Sequence, residues 1–98
     1  MRKKHKFFYS SHTNRSVMKA FDYYESVQKD LGDYFILSLE KCLASIDNNP
    51  EIFKIIHKNF RQAKVPKFPY IVLYRIIDTG IIIDNVFNTH QNPIKKIR

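Results

Sequence analysis

The sequence lacks the features that disulfide frameworks, nucleotide-binding loops and membrane spans require. It contains one cysteine, Cys42, two glycines and no tryptophan in 98 residues. A single thiol cannot form an internal disulfide, and two separate glycines cannot build a phosphate-cradling loop. No apolar run approaches the 18 or so residues of a membrane helix. We therefore expect a cytoplasmic protein with a buried structural thiol, no cofactor and no contact with a membrane.

The composition is that of a folded domain. Hydrophobic residues make up 44% of the chain and aromatic residues 14%, far more than disordered segments of this charge contain. A chain of 98 residues can bury one modest core and is too short for two. We expect a single domain that spans residues 1–98.

The net charge of +8 is distributed unevenly. Residues 1–10 hold four basic residues and no acid, residues 11–50 hold four basic residues against six acids, and residues 51–98 hold nine against three. Clustered Lys and Arg side chains favour binding to a polyanion, because they release counterions from its phosphates. An acidic protein partner that neutralises the same charge is an equally valid interpretation.

The first half of the sequence predicts a short strand followed by two helices. Lys6 to Ser10 is rich in aromatic residues, as strands are, and the polar residues after it can cap a helix. Gly32 is expected to end the first helix in a left-handed conformation, and Asp33 to cap the second. Pro50 ends the second helix because it lacks an amide donor. Apolar residues at helical spacing are Val17, Ala20, Phe21, Tyr24, Val27 and Leu31, then Phe35, Leu39, Cys42, Leu43 and Ile46.

The second half predicts three strands. Residues 52–62 mix apolar with basic side chains, which is typical of an edge strand, and residues 63–69 form a loop. Residues 67–77 and 81–89 are β-branched and aromatic runs joined by a short turn, as in a central hairpin. The predicted order is β-α-α-β-β-β, an α+β fold of two layers in which an antiparallel helix hairpin packs on a small, mainly antiparallel sheet.

Several short motifs accompany this element order. They are Ala20-Phe21-Asp22-Tyr23-Tyr24, Leu31-Gly32 with Phe35, Asn49-Pro50, Arg61, Phe68-Pro69-Tyr70, Tyr74-Arg75 and Val86-Phe87. In this order and over nearly the whole chain, they resemble the RelE/ParE toxin superfamily of bacterial type II toxin-antitoxin modules. The most specific of them is Phe-Pro-Tyr followed by an apolar strand with a second Tyr.

The resemblance implies a growth-inhibiting toxin that a cognate antitoxin holds inactive. RelE-like members cut messenger RNA on the ribosome, whereas ParE-like members poison DNA gyrase, and the fold alone does not choose between the two targets. A third alternative is a degenerate, non-toxic member that only binds its antitoxin.

Cleavage of RNA requires a base for the 2′-hydroxyl and cations for the charge that develops on phosphorus. Basic and tyrosine side chains in the second half of the chain are suited to these roles. The candidate catalytic residues are Arg61, Tyr74 and His90, and the candidate nucleic-acid-binding residues are Lys58, Arg61, Lys64, Lys67 and Arg75. No acid accompanies His57 or His90 at ligand spacing, so no metal site is predicted.

The sequence departs from the family after the last strand. Many members have Val-Phe-His-Thr-x-Arg-x-Pro there, whereas this chain has Asn88 at the His position and Gln91 at the Arg position. Neither amide carries a proton or a cation near neutral pH. His90, two residues further on, lies on the same face of an extended strand and can replace the missing histidine. The alternatives to a catalytic or binding role are that Tyr74 is a core residue and that Arg75 pairs with Asp84.

Overall fold

The computed structural model describes residues 4–90, and it confirms the α+β class. The elements are β1 (Phe7–Tyr9), α1 (Ser11–Val27), α2 (Leu31–Asn48), β2 (Lys54–His57), β3 (Phe60–Lys64), β4 (Tyr70–Ile77) and β5 (Gly80–Asn88). The strand order in the sheet is β1-β5-β4-β3-β2, with β1 parallel to β5 and the other pairs antiparallel. Within residues 4–90 no helix has the length and apolar character to span a membrane.

The start of α1 is tied to the middle of the sheet. Ser10 is the N-cap, and its hydroxyl accepts a hydrogen bond from the Thr13 amide at 3.1 Å. The same hydroxyl donates to the Asp84 carbonyl at 2.7 Å. The buried Thr13 hydroxyl donates to the Ile83 carbonyl at 2.9 Å. These bonds fix α1 beside β5.

The junction between the helices differs from the prediction. Gly32 does not end α1, which stops at Val27, but lies buried in the first turn of α2. A Cβ atom there would come within 2.8 Å of the Phe21 ring and 2.9 Å of the Glu25 carboxylate, so a larger residue would need these two side chains of α1 to shift. Asp30 takes the left-handed conformation, with φ 68°, at the N-cap, and Asp33 lies in the first turn instead of capping it.

The segment predicted as one strand over residues 52–62 contains two. β2 and β3 form a hairpin whose turn includes Lys58 at φ 50°, and β3 continues through Lys64 into the predicted loop. The mixed pattern concealed the turn because Lys58 and Asn59 interrupt the apolar residues without a glycine or proline. β2 is an edge strand, as expected.

The core lies between the helix hairpin and one face of the sheet, the helix-facing side. The β4–β5 hairpin is central, as predicted. An aromatic cluster joins the two layers, with Phe35 in T-shaped contact with Phe68 at 5.3 Å and Tyr70 at 5.1 Å between ring centroids. Cys42 is buried as expected, and burial raises the pKa of its thiol to about 12. The thiol is therefore a small core residue and not a nucleophile.

The segment before β1 is hydrogen-bonded to the end of α2. The Asp47 carboxylate accepts hydrogen bonds from the Lys4 amide at 2.7 Å, the His5 amide at 2.8 Å and His5 Nδ1 at 2.9 Å. Burial opposes the charge of Asp47, but these hydrogen bonds outweigh it and lower the pKa of the carboxyl. We call Lys4, His5 and Asp47 the N-terminal clasp.

Candidate functional site

The register of the sheet separates the predicted site residues onto two faces. Arg61 on β3 pairs with Tyr74 on β4, and Lys64 pairs with Ile71. Directly paired residues share a face, and successive residues of a strand alternate between faces. Tyr74 belongs to the core beneath the helices, so Arg61 lies on the helix-facing side. Lys64 lies on the opposite side, which we call the outer face.

Arg61 and Tyr74 are both engaged by the connection between α2 and β2. Arg61 Nη1 donates to the carbonyls of Glu51 at 2.9 Å and Phe53 at 2.8 Å. The hydroxyl of Tyr74, whose residue is fully buried, donates to the Pro50 carbonyl at 2.6 Å. Burial raises the pKa of Tyr74 to about 12, against the weaker lowering effect of Arg61. We call these two side chains the loop anchor.

Arg75 lies on the outer face and has its own counter-ion. Its guanidinium makes two hydrogen bonds to Asp84, at 2.9 Å and 2.8 Å, which is the ion pair that the sequence allowed as an alternative. These bonds raise the pKa of Arg75. The guanidinium also lies 4.9 Å from the centroid of the Phe60 ring. Two of the five N–H donors of Arg75 are therefore used within the chain, and its charge is paired with that of Asp84.

The remaining predicted cations are scattered. Lys58 is exposed at the β2–β3 turn, and Lys64 is exposed on the outer face. Lys67 lies in the β3–β4 loop with φ 66°, and its Nζ is 6.0 Å from the centroid of the Tyr34 ring near the start of α2. Arg61 therefore lies on the helix-facing side of the sheet, whereas Lys64 and Arg75 lie on the outer face.

His90 lies at a cleft that the sequence did not predict. The cleft has a volume of about 530 Å³ and lies between α1 and the end of β5. We call it the α1–β5 cleft. It is lined by Ser16, Lys19, Tyr70, Val86, Phe87, Asn88 and His90. Ser16 and Lys19 were missed, although their three-residue spacing next to the apolar Val17 and Ala20 places both on one flank of the helix.

The structure does not bring the three candidate catalytic residues together. Tyr70 pairs with Asn88 near the α1–β5 cleft, whereas Tyr74 lies four residues further along β4. At about 3.3 Å per residue, this separates Tyr74 from the cleft by about 13 Å. His90 is beyond Asn88 at the cleft end of the sheet, and Gln91 lies outside the described residues.

A second concavity is almost entirely apolar. It has a volume of about 400 Å³ and lies between the helices and the β1–β5 side of the sheet. We call it the apolar groove; its lining is Tyr9, Thr13, Asn14, Val17, Met18, Leu39, Leu43, Ile83 and Val86. Met18 is 57% exposed at its rim. No group of three or more His, Cys, Asp or Glu side chains within residues 4–90 is arranged to hold a metal ion.

Comparison with solved structures places the fold among toxin-antitoxin proteins. The structure of the chromosomal ParDE system from P. aeruginosa matches with a TM-score of 0.69 and 12% identity, covering 86% of this chain and 95% of that chain. The E. coli DinJ-YafQ toxin-antitoxin complex matches with a TM-score of 0.61 and 17% identity, covering 89% and 94%. YafQ from E. coli strain BL21(DE3) matches with a TM-score of 0.61 and 17% identity, covering 89% and 96%. At these identities the likeness shows the fold alone.

Sequence comparison supplies the family. No curated protein matches the chain. The family model described as the ParE toxin of the type II toxin-antitoxin system parDE matches residues 8–93. That range covers both helices and strands β2 to β5, and it begins at the second residue of β1. The match agrees with the predicted resemblance to the RelE/ParE superfamily. The chain belongs to the ParE toxin family of type II toxin-antitoxin systems.

Proposed function

We propose that this toxin inhibits growth by binding a target protein and not by cutting RNA, and that the target is DNA gyrase, as for ParE-like members. The observation that carries the proposal is the loop anchor. Arg61 and Tyr74 are two of the three candidate catalytic residues, and both donate to backbone carbonyls of their own chain.

The chemistry of RNA cleavage is poorly served by this arrangement. A general base must lie within hydrogen-bond reach of the proton that it removes and must lose its own proton near neutral pH. Tyr74 is fully buried with a pKa of about 12, so it meets neither condition. Arg75 is paired with Asp84. A toxin that acts by recognition needs none of these groups free, because buried contacts supply its binding energy.

A cognate antitoxin is the second partner that we propose. The net charge of +8 favours an acidic segment, and the apolar groove offers space for its hydrophobic side chains. Binding of this kind lets a disordered partner fold on the toxin surface. We propose the cytoplasm as the location, because both proposed partners act there.

A second candidate function, ribosome-dependent cleavage of messenger RNA, is favoured by one observation. The α1–β5 cleft brings His90 together with Lys19 and Tyr70, which are an imidazole, a cation and a hydroxyl. In this version His90 handles the proton and Lys19 the phosphate, while Arg61 and Tyr74 remain structural.

Two assays with purified protein distinguish these functions. We expect the wild type to inhibit supercoiling by DNA gyrase and to leave mRNA on translating ribosomes intact. Codon-positioned cleavage that is lost in a His90→Ala variant, with supercoiling unaffected, would establish the second candidate. Inactivity in both assays, together with normal growth on overexpression, would indicate the degenerate member that only binds its antitoxin.

A further inference from the structure

We propose that the α1–β5 cleft is an oxyanion-binding site that takes side-chain carboxylates of an acidic protein segment. This proposal rests on the proposed function in one respect only, which is that the acidic segment is identified with the antitoxin. The cleft itself is defined by the side chains of α1, β4 and β5 that line it.

The hydrogen bonds around the cleft leave it with donors. Asn88 Oδ1 accepts from the His90 amide at 2.9 Å, which fixes the orientation of the side chain and leaves both N–H groups of its amide nitrogen for a ligand. The Tyr70 hydroxyl has no partner within residues 4–90. The His90 imidazole offers an N–H in either tautomer. Ser16 is the exception, since its hydroxyl donates to Asn85 Oδ1 at 3.1 Å.

The charge of the cleft is positive. Lys19 is exposed at its rim, and no carboxylate from residues 4–90 pairs with it. The lining contains no Asp or Glu. An anion that enters the cleft therefore meets one ammonium group and several neutral hydrogen-bond donors. No carboxylate of the lining competes with it for these donors. Hydrogen bonds between charged and neutral groups of this kind are roughly twice as strong as neutral ones.

The surroundings favour carboxylates over nucleic acid. Val86, on the same side of the sheet as Asn88, gives the cleft an apolar wall that suits the aliphatic part of a Glu side chain. Arg15 is one turn before Lys19 on α1, but its guanidinium is hydrogen-bonded to His12 Nδ1 at 3.2 Å and it does not line the cleft, so Lys19 is the cation that the described lining offers to a carboxylate. A nucleic-acid backbone needs a longer row of cations, but Lys64 and Arg75 are on the outer face.

The test uses backbone amide NMR of the wild-type chain with three probes: inorganic phosphate, a hexaglutamate peptide and a hexauridylate RNA. We expect phosphate and hexaglutamate to shift the amide signals of residues 16–19 and 88–90, with hexaglutamate binding more tightly than the RNA. Asn88→Asp keeps the acceptor for the His90 amide but replaces the free amide nitrogen with a charged oxygen, and should weaken hexaglutamate binding about tenfold or more.

Lys19→Gln should weaken binding about fivefold, whereas Lys29→Gln, an exposed lysine between the helices, should leave it within about twofold. The dispersion of each spectrum verifies folding before affinities are compared. Shifts spread over all basic residues, or equal losses for Lys19→Gln and Lys29→Gln, would overturn the site. Tighter binding of hexauridylate, lost in Asn88→Asp, would overturn the choice of a protein carboxylate. None of these results depends on whether gyrase is the target.

Discussion

The loop anchor and the α1–β5 cleft contain similar types of side chain that differ in whether their donors have a hydrogen-bond partner within the described residues. Arg61 and Tyr74 donate to carbonyls of the α2–β2 connection. Lys19 and the amide nitrogen of Asn88 have no partner within residues 4–90. The comparison teaches that a cation or hydroxyl in the sequence is evidence for a site only when its hydrogen bonds are not already made inside the fold.

Burial accounts for the difference fully at Tyr74, and in part at the half-buried Arg61. A donor that is removed from water without a partner costs about 1–3 kcal/mol, so a folded chain pairs the donors that it buries. Among the described residues, no buried side-chain nitrogen or oxygen lacks a hydrogen-bond partner. Free donors are found at the surface, as Lys19 and His90 are. Substitutions at the paired groups test this distinction, with an expected effect that decreases from Arg61 to the Arg75–Asp84 pair.

Arg61→Ala should give the largest loss of stability. It removes two charge-assisted hydrogen bonds to the connection and should lower the free energy of unfolding by about 2–3 kcal/mol. Lys64→Ala, on the same strand but on the outer face, is the matched control and should leave stability unchanged. Urea denaturation of both variants tests this, and equal losses would mean that Arg61 is not an anchor.

Asp47→Asn tests the N-terminal clasp and should cost about 1.5 kcal/mol near neutral pH. Because the pKa of Asp47 is lower in the folded than in the unfolded chain, its stabilisation is complete above the usual Asp pKa of about 3.9 and is lost as the pH falls through the folded-state pKa. The wild type and the variant should therefore converge in stability as the pH falls below the usual Asp pKa and through the folded-state pKa. A constant difference over that range would contradict the clasp.

Tyr74→Phe should cost about 1 kcal/mol, since it removes one neutral hydrogen bond and keeps the ring. The pKa of Tyr74, about 12, is above its unfolded value, so the stabilisation is present below about pH 10 and is lost as the pH rises through the folded pKa. Denaturation over alkaline pH should show this loss in the wild type and less of it in the variant. Tyr23→Phe, at an exposed position, is the control.

The Arg75–Asp84 pair should give the smallest effect. Partial exposure to water weakens the attraction, so a double-mutant cycle with Arg75→Ala and Asp84→Ala should give a coupling energy of about 0.5–1 kcal/mol. The coupling should decrease in high salt. A coupling near zero would mean that Arg75 is free for a ligand, as the nucleic-acid interpretation of the sequence requires.

The sequence predicted the helices and the central hairpin because their patterns are strong. Apolar residues at helical spacing and two β-branched runs around Asp78-Thr79-Gly80 each indicate one element. The β2–β3 hairpin was missed because a left-handed Lys58 leaves no signal of the kind that glycine leaves. Gly32 was misplaced because its close contact with the Phe21 and Glu25 side chains of α1 is not visible in any local pattern.

The candidate site was harder to predict because it depends on long-range hydrogen bonds. Residue type identified Arg61, Tyr74 and Arg75 as candidates for catalysis or nucleic-acid binding. Their hydrogen-bond partners at Pro50, Glu51 and Asp84 follow only from the register of the sheet and the path of the α2–β2 connection. The pairing of Arg75 with Asp84 could be anticipated because both residues belong to one hairpin. Lys19 could not be linked to His90, since α1 and β5 are far apart in sequence.

The most direct test of the central claim, that the loop anchor is structural and the toxin acts by binding, is growth arrest by Tyr74→Phe at the same soluble level as wild type. We predict equal arrest by the two proteins, with intact polysome-associated mRNA in both cultures. Loss of arrest by a variant that is folded, together with codon-positioned mRNA cleavage by the wild type alone, would contradict the account and assign Tyr74 to catalysis.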